Sequence, residues 1–276
     1  MNRRSSLIFL EVLIIFATIF FLYPIIIGFL NTFKPFRDIM ADAISLPKGL
    51  YLTNYVTVWD QMQYFKKLLN SLVICLVSIV AIVVLSALCA YKLSRDEKRI
   101  PASRIIFIAF VSSMVIPFHA IMIPTIQEMK FLNLINTLEG VIIFDIGGCC
   151  PLAVFLYHGF IKTVPLELEE CARIDGCNTL RVFVQIVFPL LSPITVMVIV
   201  LNTINIWNDF LFPYLVLSSK SKMTLPLALF QFVGRYMKEW DKMLAGSFLC
   251  MAPIVIFYFI LQRYIIKGIV MGSIKG

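Results

Sequence analysis

The sequence contains few charged side chains. Of its 276 residues only 14% are Asp, Glu, Lys or Arg, while 60% are hydrophobic. A soluble globular domain is about 25% charged and about half apolar. This shortage of charge excludes an ordinary soluble domain and favours a chain that exposes apolar surface to lipid. The 24 Lys and Arg residues lie mainly in short loops between apolar runs, so the net charge of +8 does not indicate nucleic-acid binding.

The sequence also lacks the motifs of common catalytic centres. It contains no G-x-x-x-x-G-K-[ST] phosphate-binding loop, no H-E-x-x-H zinc motif and no G-x-S-x-G nucleophile motif. The two His and seven Cys residues do not have zinc-ligand spacing, so they predict no metal site. We therefore expect a chain that is not an enzyme and that itself binds neither a cofactor nor ATP.

Long apolar runs, in contrast, are abundant. A helix that crosses a bilayer needs about 20 mainly apolar residues, and six stretches satisfy this requirement. They predict an all-α, polytopic membrane protein in which residues 1–276 form one transmembrane domain. Pro117 interrupts the third stretch, and Pro189 and Pro193 lie in the fifth. Membrane helices tolerate proline when neighbouring groups satisfy the carbonyls that it leaves without a hydrogen bond. The six stretches are 7–30, 68–91, 105–124, 138–160, 187–217 and 244–266.

The basic residues around the first three stretches favour one orientation. Arg3 and Arg4 flank the first stretch, and the basic loop 92–99 joins two closely spaced stretches. Short loops of this kind are where excess Lys and Arg best predict the cytoplasmic side. With six crossings, both termini would then be cytoplasmic.

Residues 161–186 form a polar break in the apolar pattern. Pro165 suits the first turn of a helix, and Gly176 suits the left-handed residue that ends one. Asn178 or Thr179 can cap a following helix. The segment therefore predicts a short helix, a tight turn and a second helix that leads into the fifth stretch.

The pattern alone leaves three interpretations of the short helix open. It could lie in the membrane interface, although such helices favour Lys and Arg over its three Glu residues. It could be an ordinary loop helix. Alternatively, its small or apolar side could fit a groove on a partner protein. That side comprises Leu168, Cys171, Ala172 and Asp175.

The same segment resembles a known motif. The run Glu-Cys-Ala-x-x-Asp-Gly at 170–176 is similar to the EAA motif of permease subunits of ATP-binding-cassette (ABC) importers. Cys171 and Cys177 stand where Ala is usual, and both are small enough to preserve the pattern. Further similarity to MalG-like permeases of the maltose and oligosaccharide branch extends over nearly the whole chain. The matching positions include Phe183, Ile186, Pro189, Pro193 and the runs 133–140, 207–210, 224–226, 262–264 and 272–276.

The resemblance implies specific roles and partners. In such permeases the EAA loop, here about 161–190, forms a coupling helix that sits in a cleft of a separate ATPase subunit. It implies that the C-terminal tail, with Lys275 and Gly276, also reaches toward the ATPase pair. The implied partners are a homologous second permease, two subunits that bind ATP and Mg, and an extracellular sugar-binding protein at the bacterial plasma membrane. The residues implied to make the coupling contact are Glu170, Cys171, Ala172, Asp175 and Gly176.

The fifth stretch carries an unusual group of polar residues. Polar groups inside a membrane are costly and usually face the bundle interior or a water-filled path. Amides, a carboxyl group and an aromatic ring could bind sugar, or could simply bond to neighbouring helices. The group comprises Asn202, Asn205, Trp207, Asn208 and Asp209.

With these features, the resemblance to MalG-like permeases implies the permease subunit of an ABC importer for a disaccharide, an oligosaccharide or a related sugar. One alternative is an ABC permease for a non-sugar solute, in which the EAA loop would look the same. A second is an ion-coupled carrier, which would favour an inverted repeat and charged relays in mid-membrane. We detect neither feature in the sequence.

Overall fold

The structure is a computed structural model that describes residues 3–97, 100–233 and 239–273. Its elements are helices joined by short loops, with a π-helical turn at Phe183–Val187 and two 3-10 turns at Lys220–Lys222 and Phe230–Phe232. The α-helices, in chain order, are α1 (Arg3–Asn31), α2 (Phe36–Ala41), α3 (Thr53–Met62), α4 (Tyr64–Asp96), α5 (Pro101–Ser113), α6 (Phe118–Phe131), α7 (Leu138–Ile161), α8 (Leu166–Ile174), α9 (Thr179–Val182), α10 (Phe188–Leu190), α11 (Ser192–Asn208), α12 (Leu211–Val216), α13 (Leu225–Leu229) and α14 (Trp240–Ser273).

The apolar helices agree with the predicted polytopic membrane protein. In the described chain, four helices are long and apolar enough to cross a bilayer, and two bent pairs bring the number to six if each pair counts as one crossing. The bends measure 105° between α5 and α6 and 76° between the Thr179–Leu190 segment and α11. The six predicted stretches fall on these elements. The four unbent spans are Phe9–Asn31, Tyr64–Asp96, Leu138–Ile161 and Trp240–Gln262.

The two bends have local causes in the backbone. Between α5 and α6 the chain leaves the helix, and Pro117 takes an extended conformation (φ −69°, ψ 139°) immediately before α6. Before the second bend, Phe188 N–H bonds to Phe183 O across the π-helical turn. Pro189, which follows, has no N–H for a helical bond. Proline and π-turns are recognised causes of sharp helix kinks, so these bends are encoded in the sequence.

The chain divides into two compact units, each of which has its own packing. One unit comprises the chain up to Lys67 together with Leu225–Ala252, and the other comprises Leu68–Thr224 together with the chain from Pro253 onward. The prediction that residues 1–276 act as one transmembrane domain stays a prediction.

In the first unit, buried polar groups hold the loop after α1 in place. Lys34 is 2% exposed, and its Nζ donates to Asp42 O and Ser45 Oγ, each at 3.2 Å. Asn54 Nδ2 donates to Thr32 O and Lys34 O, each at 2.9 Å. Each bond satisfies a backbone carbonyl or a buried charge that would otherwise be costly, so this loop is an ordered part of the unit.

In the second unit, α7 packs against α5, α11 and α12. Its first turn is closed by Thr137, whose Oγ1 accepts from Gly140 N at 3.1 Å and donates to Leu134 O at 2.6 Å. A Cβ atom on Gly140 would lie only 2.4 Å from Leu134 O. Gly140 is therefore required for the close approach of the loop to the start of α7.

Candidate functional site

The short helix α8 ends as the sequence predicts. Gly176 has a φ of +86°, in the left-handed region that favours glycine. Cys177 N donates to Ala172 O at 2.9 Å, and Gly176 N donates to Arg173 O at 3.0 Å. This pair of bonds defines a Schellman motif, which gives the end of α8 a fixed geometry.

The second helix also begins as predicted. Of the two candidate caps, Asn178 serves: its Oδ1 accepts from Arg181 N at 2.9 Å. Pro165 lies one position before its predicted place, because α8 begins at Leu166. The segment is thus a capped helix, a tight turn, and a second helix that continues through the π-helical turn and the bend to α11.

The inner side of α8 contains a buried ion pair. Glu169 is 0% exposed. Its Oε2 accepts from Tyr91 Oη at 2.7 Å, and its Oε1 accepts from Arg95 Nε at 2.8 Å. A second Arg95 nitrogen lies 2.6 Å from the same Oε1, and Arg173 lies 3.6 Å from Oε2. These charge-assisted bonds fasten α8 to the end of α4.

Tyr91 extends this connection to the second helix. Its ring lies 5.1 Å from that of Phe183, the first residue of the π-helical turn. Arg95 Nη2 also donates to Val164 O at 3.1 Å, just before α8. The end of α4 therefore contacts both helices of the segment and the chain that leads into it.

The sequence analysis did not single out Glu169 for this role. Glu169 was considered only as one of the three Glu residues of the short helix, with Glu167 and Glu170. The partners of Glu169 lie 74 and 78 residues earlier in the chain, and no local pattern connects them. The only indication in the sequence was that Arg95, a charged residue at the end of an apolar span, would need an acidic partner.

The outer side of α8 combines apolar and acidic groups. Leu166, Leu168 and Ile174 are 51%, 45% and 85% exposed. Of the five residues in the predicted coupling contact, Glu170, Cys171, Asp175 and Gly176 are exposed, and Ala172 is buried on the inner side. Exposed Leu and Ile beside carboxylates form a surface that a partner protein could cover.

A second group of charges joins α4 to the end of α7. Lys162 Nζ lies 2.5 Å from Glu97 Oε2, and Lys92 Nζ lies 2.7 Å from Asp96 Oδ2. The hydrogen bond from Lys162 lowers the pKa of Glu97. Glu97 is therefore ionised at neutral pH, and its bond with Lys162 joins the end of α4 to the end of α7.

A cavity of about 680 Å³ lies within the second unit, lined by twelve residues of α6, α7, α11, α12 and the chain between α11 and α12. Its polar lining residues are Asp145, Asn205, Asn208 and Asp209. Aromatic rings form much of the remaining wall. Phe144 and Phe212 stack with ring centres 3.6 Å apart, and Phe118 meets Phe144 edge-on at 5.1 Å. Concave sites with apolar walls and a few convergent polar groups typically bind small molecules.

Asp145 is the most deeply buried polar group of this cavity. It is 5% exposed, and its Oδ2 has no hydrogen-bond partner among the described residues. Asp209 is half-buried, and its Oδ1 accepts from Phe212 N at 3.4 Å. An unpaired oxygen in apolar surroundings is costly, so the Asp145 carboxyl group is available for a hydrogen bond with a ligand.

The predicted polar group of the fifth stretch divides into two sets. Asn205, Asn208 and Asp209 line the cavity. Asn202 and Trp207 are buried and do not line it. Asn202 Nδ2 donates instead to Val198 O at 2.8 Å, a bond within its own helix and not to the neighbouring helix considered above.

The predicted contact of the C-terminal tail with the ATPase stays a prediction. Lys275 and Gly276 lie outside the described residues. Within the described part of the chain, no group of three His, Cys, Asp or Glu side chains could hold a metal ion.

Several helices long and apolar enough to span a membrane, a cavity with polar and aromatic lining, and a short helix anchored to the end of one span are features of membrane permeases. Residues 82–271 match the family described as "Binding-protein-dependent transport system inner membrane component", and the chain belongs to this family. It is therefore a permease subunit of an inner-membrane transport system.

Relatives over nearly the full length support this assignment. The chain is 36% identical over 261 residues to the "Probable starch degradation products transport system permease protein AmyC" of Thermoanaerobacterium thermosulfurigenes, covering 95% of this chain and 94% of that protein. It is 34% identical over 283 residues, with full coverage of both chains, to the "Arabinooligosaccharides transport system permease protein AraQ" of Halalkalibacterium halodurans. It is 32% identical over 231 residues to the "Melibiose/raffinose/stachyose import permease protein MelC" of Bacillus subtilis, covering 83% of each.

A solved structure confirms the fold. A chain of a bacterial ABC transporter "involved in the import of the acidic polysaccharide alginate" superposes with a TM-score of 0.82 and 22% sequence identity, covering 96% of this chain and 98% of that chain. The all-α permease fold expected from the sequence is therefore confirmed.

Proposed function

We propose that this chain is one of two permease subunits of an ABC importer for a disaccharide or oligosaccharide. Its relatives are named for starch degradation products, arabinooligosaccharides and melibiose, raffinose or stachyose. The cavity supports the same cargo, because amide and carboxyl groups can bond to sugar hydroxyls while aromatic walls contact the sugar rings.

One observation carries the coupling part of this proposal: α8 is exposed on one side and fixed by a buried ion pair on the other. A partner that binds Leu166, Leu168 and Glu170 would push on a helix whose Glu169 is held by Arg95 of α4. Movement would pass to α4 through that pair and to α11 through the second helix. The exposed coupling residues would make the contact, and Gly176 would fix the angle of α8.

The proposed assembly contains this chain, a homologous second permease, two ATP-binding subunits and an extracellular sugar-binding protein. ATP and Mg would bind to the ATP-binding subunits, which would hydrolyse ATP, while this chain performs no chemistry. The tail with Lys275 and Gly276 would also approach those subunits.

The proposed orientation places α8 and both termini in the cytoplasm. The ion pairs of Glu97 with Lys162 and of Arg95 with Glu169 keep the end of α4, the end of α7 and α8 on one side. Lys92, Arg95 and Lys162 all lie there, as the positive-inside rule favours.

The first experiment is purification of the tagged chain from its native membrane in mild detergent, followed by crosslinking at its own cysteines. Cys171 is exposed on the outer side of α8, and Cys250 is buried. We expect a second permease and an ATPase to co-purify, and a short bifunctional thiol reagent to join Cys171 to the ATPase. Cys171→Ser should abolish that crosslink, whereas Cys250→Ser should retain it.

The same preparation tests the cargo. We expect ATP hydrolysis in reconstituted vesicles to rise when a neutral oligosaccharide is added with the extracellular binding protein. Isolation of this chain without an ATPase, even after crosslinking, would overturn the coupling proposal. A complex stimulated only by a non-sugar solute would retain the coupling proposal and reject the sugar.

A further inference from the structure

Asn136 lies in the loop between α6 and α7 and bonds to the turn that follows α12. Its backbone N–H donates to the O atom of Val216, the last residue of α12, at 2.8 Å. Its Oδ1 accepts from Ser218 N at 3.2 Å and from Ser219 N at 2.9 Å. Its Nδ2 donates to Ser219 Oγ at 2.8 Å, and its O accepts from Lys222 Nζ at 2.6 Å. These five bonds, which we call the Asn136 tie, join one residue to a single turn.

The residue type at position 136 meets two separate requirements. Asn136 has a φ of +58°, and Asn tolerates this left-handed region better than most residues with a side chain. Its amide group also supplies a donor and an acceptor together, and the turn uses both. Gly would keep the backbone conformation and lose the amide, so Asn136→Gly removes the side-chain bonds without straining the loop.

The Asn136 tie connects two walls of the cavity. On one side, Thr137 follows directly and caps α7, and α7 contributes Phe144 to the lining. On the other side, α12 contributes Phe212, whose ring stacks on that of Phe144 at 3.6 Å. The tie therefore fixes the end of α12 relative to the start of α7.

The chain on either side of α12 is not helical. Asp209, between α11 and α12, has a φ of −66° and a ψ of 119°, and Leu217, after α12, has a φ of −98° and a ψ of 108°. A short helix between two such residues can turn as a unit, because a few dihedral angles absorb the change. Movement of α12 away from α7 would have to break the tie.

The same turn has a second attachment, to α4. Asn70 Nδ2 donates to Ser221 O and to Met223 O, each at 2.9 Å. These bonds lie beyond the non-helical residues 217–219, so they hold the far end of the turn and not α12 itself. Opening of the tie would therefore free α12 while the turn stays attached to α4.

The bonds of the tie lie where water can replace them. Asn136, Ser219 and Lys222 are partly exposed, and Ser218 is exposed. Exchange of a hydrogen bond between protein groups for bonds with water has a small net cost. The tie lies before the start of α7 and α8 follows its end, so the proposed orientation places the tie on the external side.

We infer that Asn136 is a positioning residue of the transport cycle: the Asn136 tie holds α12 against α7 and closes the external mouth of the cavity, and it opens when cargo enters. Asn136 acts through α12 and not by touching the cargo. The direction of transport in this inference rests on the proposed function, whereas the tie itself belongs to the second unit alone.

The first test asks whether the tie closes the mouth, and it needs no cargo. Leu211→Cys places a thiol in the cavity wall. Its labelling by a membrane-impermeant maleimide is followed in the complete complex, in proteoliposomes with the external side outward. The same chain without this change gives the background from its own cysteines.

We expect Asn136→Gly to raise the labelling rate at least about threefold, because loss of the side-chain bonds favours the open position of α12. Asn133→Gly is the matched control. Asn133 lies in the same loop, has a φ of +57° and is exposed, so its replacement should leave the labelling rate unchanged.

The second test prevents the tie from opening. Asn136 Nδ2 and Ser219 Oγ lie 2.8 Å apart, so Asn136→Cys combined with Ser219→Cys places two thiols within reach of a short bismethanethiosulfonate reagent, whose links dithiothreitol removes. Uptake is measured with the binding protein present, using whichever of radiolabelled maltotriose, arabinotriose and raffinose the unbridged protein takes up fastest. We expect bridging to reduce uptake at least about tenfold and dithiothreitol to restore it, because a mouth that cannot open limits turnover. Each single Cys variant should keep its uptake under the same treatment.

A labelling rate that Asn136→Gly does not change would overturn the inference, as would full uptake by the bridged protein. A purely structural role would lower the thermal midpoint of Asn136→Gly, but it would not make uptake depend on a reversible bridge. A failed tie with sugar uptake intact leaves the proposed function standing. Absence of uptake of all three sugars by the unbridged protein would instead count against the proposed cargo, and the labelling rates would then decide the inference by themselves.

Discussion

Arg95 at the end of α4 holds Glu169 of α8 through two contacts, at 2.8 and 2.6 Å, in a site where the Glu169 side chain is only 1% exposed. The neighbouring Glu170 is exposed. Two adjacent acidic residues therefore have separate structural roles. Glu169 faces inward and fixes α8 to a membrane helix, and Glu170 faces outward where a partner can reach it.

Replacing these two acids by Gln should separate anchoring from partner contact. Glu169→Gln leaves Arg95 without its counter-charge, and breaking one side of a buried pair costs about 3–5 kcal/mol. We expect a markedly lower thermal midpoint for the purified complex and weak coupling of hydrolysis to uptake. Glu170→Gln is the matched control, and it should keep the midpoint while weakening recovery of the ATPase. Equal midpoints for the two variants would contradict the anchoring role.

Gly176→Val should damage coupling through backbone strain alone. A Cβ atom at this position meets nothing within 4 Å, but φ is +86°, and a left-handed conformation costs an ordinary residue about 1–2 kcal/mol, with β-branched residues affected most. We expect normal insertion into the membrane, reduced uptake and reduced recovery of the ATPase. Gly176→Asn should retain more activity, because Asn tolerates this conformation. Full uptake by the Val variant would refute a fixed turn as part of coupling.

Gly140→Ala should destabilise the start of α7. Its added Cβ would lie 2.4 Å from the backbone oxygen of Leu134, so the loop must move, and overpacking of this kind costs about 1–3 kcal/mol. Gly159→Ala in the same helix is the control, since a Cβ there meets nothing within 4 Å and Ala favours helices. Thermal unfolding of both variants in detergent checks the difference. Similar midpoints would show that the loop adjusts without cost.

The ion pair of Glu97 and Lys162 should make a contribution to stability that depends on pH only in acid solution. The bond from Lys162 lowers the pKa of Glu97 in the folded protein, so its stabilisation is complete above the unfolded pKa of about 4.3 and is lost as pH falls through the lower folded value. His158 Nε2 lies 3.7 Å from the same Glu97 oxygen, so the comparison is made above the ordinary histidine pKa of about 6.5. Between about pH 7.5 and 8.5, the difference in thermal midpoint between wild type and Glu97→Gln should therefore remain constant. The pair should contribute under about 1 kcal/mol to the free energy of unfolding, because both side chains are partly exposed. The difference in thermal midpoint should therefore be small. A difference that changes across that range would assign the pH dependence to another group.

Most of the fold could be predicted because its signals are local. Six apolar stretches identified the spans, and the Gly176 turn and the Asn178 cap follow from residue types that few alternatives can replace. The sharp bends were only partly predictable. Proline marked their neighbourhoods, but the angles of 105° and 76° do not follow from residue types alone.

The candidate sites show where local reasoning stops. Asn202 and Asn205 lie three positions apart and are the same residue type, yet one bonds to its own helix and the other lines the cavity. Helical spacing alone does not say which direction faces the interior. The Arg95–Glu169 pair was likewise missed, because it joins residues that only the folded chain brings together.

The two Asn residues provide the last test, because they separate a pathway role from a structural one. Asn205→Leu removes a polar group from the wall of the cavity and should weaken apparent sugar affinity about tenfold, the effect of roughly one lost hydrogen bond. Asn202→Leu removes a buried amide whose Nδ2 bonds only to Val198 O among the contacts seen here, so it should leave apparent affinity near that of the wild type. Both should keep normal recovery of the ATPase, since α8 is untouched. Uptake measured across sugar concentrations gives the apparent affinity of each variant. Unchanged affinity in Asn205→Leu would show that Asn205 has a structural role and does not bind the sugar.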